Sequence, residues 1–332
     1  MSAYVFLGPT LPATEARSIC EVRILPPVRQ GDLYRLVEAE RPAAVGIVDG
    51  AFQHVPAVWH KEILWAMKRG VYVVGAASMG ALRAAELEAF GMKGVGAVFG
   101  AYRDGVLAGY DDEAFEDDDE VAVIHGPPET GYLPLSEALV NIRVTLRAAE
   151  AAGVLSSAFR RRLAAIAKAT FYQERSYDGL IAAASKDGSP PHELEAFAAW
   201  LPECRIDQKR ADARFLFSTL KEWLEGDREP ARNSYRFVHT TLWQSAIERL
   251  EAGAATTPAS GTPDLGTGVA ALAALVWYFE DRLGQAIPHD LELYARAQGY
   301  RDHQDFRDAV ARDYRRARLA HGIDSRGNEV DA

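Results

Sequence analysis

"VYVVGAASMGALRAAEL", residues 71–87, passes from a β-branched apolar run, through a cluster of tiny residues, into a helical pattern. A short apolar run followed by a helix is the unit of a parallel sheet buried on both faces. The same unit recurs on either side. "AYVFLG" (3–8), "VRIL" (22–25), "AAVGIVDG" (43–50), "VYVVG" (71–75) and "VGAVFG" (95–100) read as strands. Helical patterns lie between them at 13–19, 31–40, 56–69 and 79–90. This alternation predicts an N-terminal parallel-sheet α/β core. From residue 134 the pattern turns helical, with helices expected at 135–152, 157–169, 176–186, 192–201, 207–225 and 234–251. An all-helical C-terminal region is therefore expected to follow the core.

The expected boundaries are a core at 1–133 and a helical region packed on it at 134–251. A Gly/Thr/Pro/Ala-rich linker follows at 252–268, then a C-terminal helical region at 269–332 with helices near 269–284, 288–298 and 302–320. Between core and helices, "DDEAFEDDDE" (111–120) holds eight acidic residues in ten, which reads as a solvated run or a docking element for a basic partner. A short strand-like "VAVIHG" (121–126) comes next.

Bulk composition narrows the function classes. With 332 residues, 48% of them hydrophobic, the chain can bury a sizeable core. Lys+Arg 37 against Asp+Glu 47 gives a net charge of −10, with no basic footprint for nucleic acid. Cys20 and Cys204 make no CxxC, and the histidines make no i,i+4 metal pair, so neither a redox motif nor a metal site is expected. The longest apolar run, within 268–279, falls short of the ~20 residues that span a bilayer. The first residues lack a signal-peptide pattern, and a cytoplasmic protein is expected.

Ser78 carries the chemical question. It follows the fourth strand at the edge where open parallel sheets bind ligands. With Gly75, Met79 and Gly80 around it, the string resembles a G-x-S-x-G nucleophile elbow, Ala76 replacing the first glycine. The alternatives are a phosphate cradle, for which no G-K-[ST] follows, and a helix N-cap, a role serine favours. A nucleophilic serine needs a base. His60 and Lys61 sit at the start of the preceding helix, where the helix dipole and partial burial favour a neutral lysine. A relay of Asp49, His60 and Ser78 is also allowed by chain order. Arg83 either holds an anion or pairs with Glu86 one turn on.

Several strings together resemble the TfuA-like proteins: "VFLGPT" (5–10), "PPVRQGD" (26–32), "IVDGAF" (47–52), "HKEIL" (60–64), "GAASMGALRAAEL" (75–87), "FGMKGVG" (90–96), "DDEVAVIHG" (118–126), "LSEALVNIR" (135–143) and "IDQKRADA" (206–213). The resemblance covers about 1–220. It implies a partner of YcaO proteins in thioamide formation, one that hydrolyses the C-terminal thiocarboxylate of a small ubiquitin-like sulfur carrier with a Ser–Lys pair and needs no cofactor. Carried over, the serine is Ser78. The lysine is Lys61 or Lys209, and Lys61 is preferred because Lys209 requires the helical region to fold back over the sheet. Asp49, His60, Gly75, Met79, Gly80, Arg83 and the second lysine are then expected around the substrate. The alternatives are a non-enzymatic adaptor that strengthens YcaO's grip on its peptide, and an esterase using Asp49, His60 and Ser78.

Overall fold

A computed structural model describes residues 2–51, 55–109, 114–188, 190–226 and 235–255. Short strands, of which β1 and β3 are wholly buried, alternate with helices: β1 (Ala3–Phe6), α1 (Ala13–Ile19), β2 (Arg23–Leu25), α2 (Asp32–Glu40), β3 (Ala44–Ile47), α3 (His60–Lys68), β4 (Tyr72–Gly75), α4 (Met79–Leu87), β5 (Lys93–Gly94) and α5 (Ala97–Asp104). The strands pair in parallel in the order β2-β1-β3-β4-β5. This is one of the two common doubly wound orders, and it places a topological switch point between β1 and β3.

The two-residue period of a strand divides the core into two layers. Phe6, Val45, Ile47 and Val73 face α2, α3 and α4. Val5, Ala44, Val48 and Val74 face α1 and a long helix from the C-terminal half. That half contains α6 (Leu139–Ala151), α7 (Ser157–Ala169), α8 (Tyr177–Lys186), α9 (Pro191–Cys204), α10 (Gln208–Glu225) and α11 (Thr241–Ala255). Helices α6 to α9 enclose a core of their own around Leu146, Phe159, Leu163 and Phe197. Ser156, Ser176 and Asp207 cap α7, α8 and α10 by accepting the amides of Phe159, Gly179 and Arg210.

Helix α10 returns to the sheet and packs across β3 and β4 beside α1. Leu216 lies against Gly46 in mid-strand. Trp223 stacks on Tyr72, the first residue of β4, with ring centroids 4.5 Å apart. Asp212 sits against Gly96, just past β5. The helix therefore runs from the carboxyl edge of the sheet to its amino edge, and its first turn lies at the edge where ligands bind.

Two expectations are corrected and a third holds in part. The fifth strand is Lys93–Gly94, and 97–104 is helix. Gly96, at φ 93°, turns the chain, and the Asp212 carboxylate accepts the Val98 amide at 2.7 Å, so an anion from α10 starts α5. "VAVIHG" forms no strand: the Val121 carbonyl accepts Lys209 Nζ instead of a sheet amide, and only an isolated bridge joins His125 to Pro134. The described part of the acidic run is solvated at Glu116, Asp117 and Asp118, which are exposed, and anchored at Asp119 and buried Glu120. Lys168 binds Asp117 at 2.5 Å and Asp119 at 3.0 Å, Arg175 reaches Asp119, and Arg143 meets buried Glu120 at 2.7 Å.

Met1–His125 and Gly131–Ala255 form one compact unit. The second unit is described only at Gly126–Thr130, a turn with a single 3-10 turn at Pro128–Thr130. Residues 252–255, expected to open the linker, close α11. The rest of the expected linker and the helices placed after 268 lie outside the described residues.

Candidate functional site

The connection from β4 to α4 is a sharp elbow. The Ala76 amide still pairs with the Ile47 carbonyl, as a strand residue would. The Ser78 amide then donates back two residues to the Ala76 carbonyl at 2.8 Å, with Ala77 at φ 66° between them. A three-residue turn with positive φ at its centre is rare and strained, at about 1–3 kcal/mol for a residue bearing a Cβ. Such strain clusters at functional sites. The surrounding glycines are steric requirements. A Cβ on Gly80 would lie 1.7 Å from the Ile47 carbonyl oxygen, and one on Gly75 would lie 2.1 Å from that of Gly80. Ser78 occupies the N-cap position of α4 but makes no capping hydrogen bond, and it is 2% exposed. Its hydroxyl is therefore not used to start the helix.

Beside the elbow is the switch point. Asp49, just past β3, accepts the Gly8 amide at 2.8 Å and the Thr10 amide at 3.2 Å, while the Thr10 hydroxyl donates to its other oxygen at 2.6 Å. One buried carboxylate thus holds the loop after β1 to the loop after β3. The elbow is tied to the same place: the Gly80 amide donates to the Val48 carbonyl at 3.1 Å, and Met79 packs against Gly50.

Lys209 brings its amine to this edge from the first turn of α10. It is 3% exposed, and its Nζ donates to the Val121 carbonyl at 2.7 Å. Burial pushes its pKa down, against the opposing fields of Asp49, Asp207 and Glu137. Asn141 organises this end of the helix: its Oδ1 accepts the Lys209 amide, and its Nδ2 donates to Glu137 and Asp207. Burial also raises the Glu137 pKa. Thr10 and Lys209 line a cleft of 650 Å³, whose other walls come from 133–138, 175–178 and the end of α9; Ser78 is not among the lining residues.

The remaining expected site residues lie elsewhere. His60 Nε2 meets Glu86 at 2.7 Å, and Arg83 binds the same Glu86 oxygen at 2.7 Å while donating to the Val58 carbonyl. Asp49 and His60 therefore have separate partners and form no relay with Ser78. Lys61 Nζ donates to the Val238 carbonyl and the Thr240 hydroxyl, both at 2.8 Å, and lies over the rings of Phe237 and Trp243. The arrangement gathers Asp49, Gly75, Ser78, Met79, Gly80 and Lys209 at one edge, and turns His60, Lys61 and Arg83 to other contacts. Thr10, Glu137, Asn141 and Asp212 were not expected there. They lie inside "VFLGPT", "LSEALVNIR" and "IDQKRADA", which marked them as part of a motif without indicating a role.

Among the described residues no three His, Cys, Asp or Glu side chains converge as metal ligands, and no helix is long and apolar enough to cross a membrane. Compared with known families, residues 49–176 match the model for TfuA-like protein. The match includes Asp49, Lys61 and Ser78 and ends before Lys209. No curated protein matches the chain.

Proposed function

We propose, from the premise that residues 49–176 are TfuA-like, that this protein hydrolyses the C-terminal thiocarboxylate of a small ubiquitin-like sulfur carrier. The sulfide then passes to a YcaO protein for thioamide formation in a peptide backbone. One observation carries the reading: an uncapped serine on a strained elbow shares a sheet edge with a buried lysine whose pKa is lowered. We assign Lys209, not Lys61, as the partner of Ser78.

The chemistry closes without a third group. Ser78 Oγ attacks the thiocarboxylate carbon, and its proton passes to the neutral Lys209 amine. The tetrahedral intermediate collapses with cleavage of the C–S bond. Sulfur leaves with that proton as hydrosulfide, and an ester joins the carrier to Ser78. Water then attacks the ester, with Lys209 again taking a proton. The products are the carrier carboxylate, hydrosulfide and one released proton. A thiocarboxylate is a poor electrophile because it is already anionic, so the developing oxyanion needs donors; the Met79 amide and the dipole of α4 are available for this, the Ser78, Gly80 and Ala81 amides being donated within the protein. Burial of Lys209 supports the base role, because a lysine of ordinary pKa is almost wholly protonated near neutrality.

The test is sulfide release from a thiocarboxylated carrier by the purified protein. Ser78→Ala is expected to lower the rate about a thousandfold or more, as loss of a nucleophile does, with the melting temperature unchanged. Sulfide release that survives the substitution removes the nucleophile assignment. Full thioamidation by that variant together with YcaO favours the adaptor.

A further inference from the structure

Ser78 is 2% exposed, and its hydroxyl makes no hydrogen bond among the described residues. The next residue, Met79, donates its amide to nothing among them either. A second free amide faces this elbow from the end of β3. Just past that strand, the Asp49 carbonyl accepts the Val28 amide and the Ala51 amide donates to the Val28 carbonyl, both at 2.9 Å. Val28 follows β2, which lies with β1 on one side of β3, whereas β4 lies on the other. In an extended chain, the amide of the residue between two such groups points the opposite way. Gly50 therefore turns its amide from Val28 toward the β4 side, and that amide donates to nothing among the described residues.

On that side β4 has already left the sheet. Its pairing with β3 ends at Ile47 and Gly75, and the turn at Ala77 carries the chain into α4. The new helix meets Gly50 directly. A Cβ on Gly50 would lie 2.6 Å from Met79 Cγ and 2.8 Å from Met79 Cβ. Only a glycine fits so close to the residue that follows the serine. The Gly80 amide, donated to the Val48 carbonyl at 3.1 Å, holds the two elements at this separation.

We propose that the Gly50 amide is the second oxyanion donor of the Ser78 site, paired with the Met79 amide. The assignment rests on the hydrolysis proposed above. When Ser78 Oγ adds to the thiocarboxylate carbon, the carbonyl π pair moves onto oxygen, beside a sulfur that is already anionic. The two amides meet that oxygen from separate elements, the end of β3 and the start of α4. Donors fixed in the backbone need no reorganisation as the charge develops. On collapse the pair returns to carbon and hydrosulfide leaves, so the amides give up no proton.

The test deletes one backbone N–H at a time, by amide-to-ester substitution in the full-length protein. An ester at Gly50 removes the amide that faces the elbow and weakens the Asp49 carbonyl that accepts Val28. An ester at Ala51 removes the amide bonded to the Val28 carbonyl and leaves that of Gly50 in place. Both loosen the same bridge, so a purely structural role gives equal effects. In sulfide release from the thiocarboxylated carrier, the Gly50 ester is expected to lower kcat about a hundredfold with KM unchanged, and the Ala51 ester to keep kcat within about threefold. Native kcat in the Gly50 ester, or equal losses in the two, overturns the proposal. A second readout needs no carrier. Phenylboronic acid forms a tetrahedral, negatively charged adduct on a serine hydroxyl and mimics the intermediate. The amide protons of Gly50 and Met79 are expected to move downfield together in the proton–nitrogen correlation spectrum of the native protein, and to stay in place in Ser78→Ala. An unmoved Gly50 amide in the native protein overturns the pair. A native protein that releases no sulfide, yet moves both amides, removes the hydrolysis and leaves the donor pair standing.

Discussion

Lys61 and Lys209 hold the same local position, each the second residue of its helix, yet they sit in opposite environments. Lys61 is half-exposed, and its ammonium is shared between a carbonyl and a hydroxyl of the segment leading into α11. Lys209 is buried, donates to one carbonyl among the described residues, and has its pKa pushed down. A helix N-terminus disfavours a lysine charge in either place. What separates the two is the layer each helix occupies. Helix α10 crosses the second face of the sheet, so its first turn is enclosed by the switch-point loops and α6. Enclosure, not location within the helix, is what pushes the Lys209 pKa down.

Substitutions can break this comparison or sharpen it, and the largest effect is expected at the elbow. Gly80→Ala places a methyl group where the Ile47 carbonyl oxygen stands, 1.7 Å away, so strand and helix must separate. A loss of about 4 kcal/mol or more is expected in chemical denaturation, among the largest single-residue effects. A fully stable variant would show that the elbow relaxes freely and that its strain has no bearing on Ser78.

Next in size is the ion-pair network that fixes the acidic run to the helical region. Arg143 and Glu120 pair at 2.7 Å, with side chains 7% and 1% exposed. Arg143→Met leaves the buried carboxylate without that partner, at about 3–5 kcal/mol. Lys168 is 36% exposed and reaches three carboxylates of the same run, and Lys168→Ala is expected to cost only about 1 kcal/mol in the same titration. Equal losses from the two variants would mean that the network is solvated throughout.

The smallest effect belongs to Lys61→Ala. It removes two hydrogen bonds and the contact with the Phe237 and Trp243 rings, about 1 kcal/mol at an exposed site. Its mark is expected in the thermal stability of α11, read by tryptophan fluorescence. A change there without any loss of sulfide release separates a structural lysine from a chemical one.

What was legible in the sequence was local. The elbow is written within six residues, Gly75 to Gly80, because a sharp strand-to-helix turn demands tiny side chains there. β1, β3 and β4 were readable as continuous apolar runs, the form a strand buried on both faces takes, and β2 as a weaker run broken by Arg23. "VGAVFG" misled because a short apolar run does not by itself distinguish strand from buried helix. What decided it was Asp212, more than a hundred residues away. The ion pairs that anchor the end of the acidic run were hidden for the same reason, since Lys168 and Arg175 are distant in sequence. The burial of Lys209 follows from the return of α10 across β3 and β4, a long-range fact that no spacing near either lysine contains.

The most direct measurement is the pH dependence of sulfide release for the native protein, Lys209→Met and Lys61→Ala. A base acts when neutral, so the native rate should rise with pH, with a midpoint below that of an ordinary lysine because burial lowers the Lys209 pKa. Lys209→Met should lose about a hundredfold or more in rate, and the rise with it. Lys61→Ala should retain both. If Lys61→Ala abolishes the rise and Lys209→Met keeps it, the pairing of Ser78 with Lys209 is wrong.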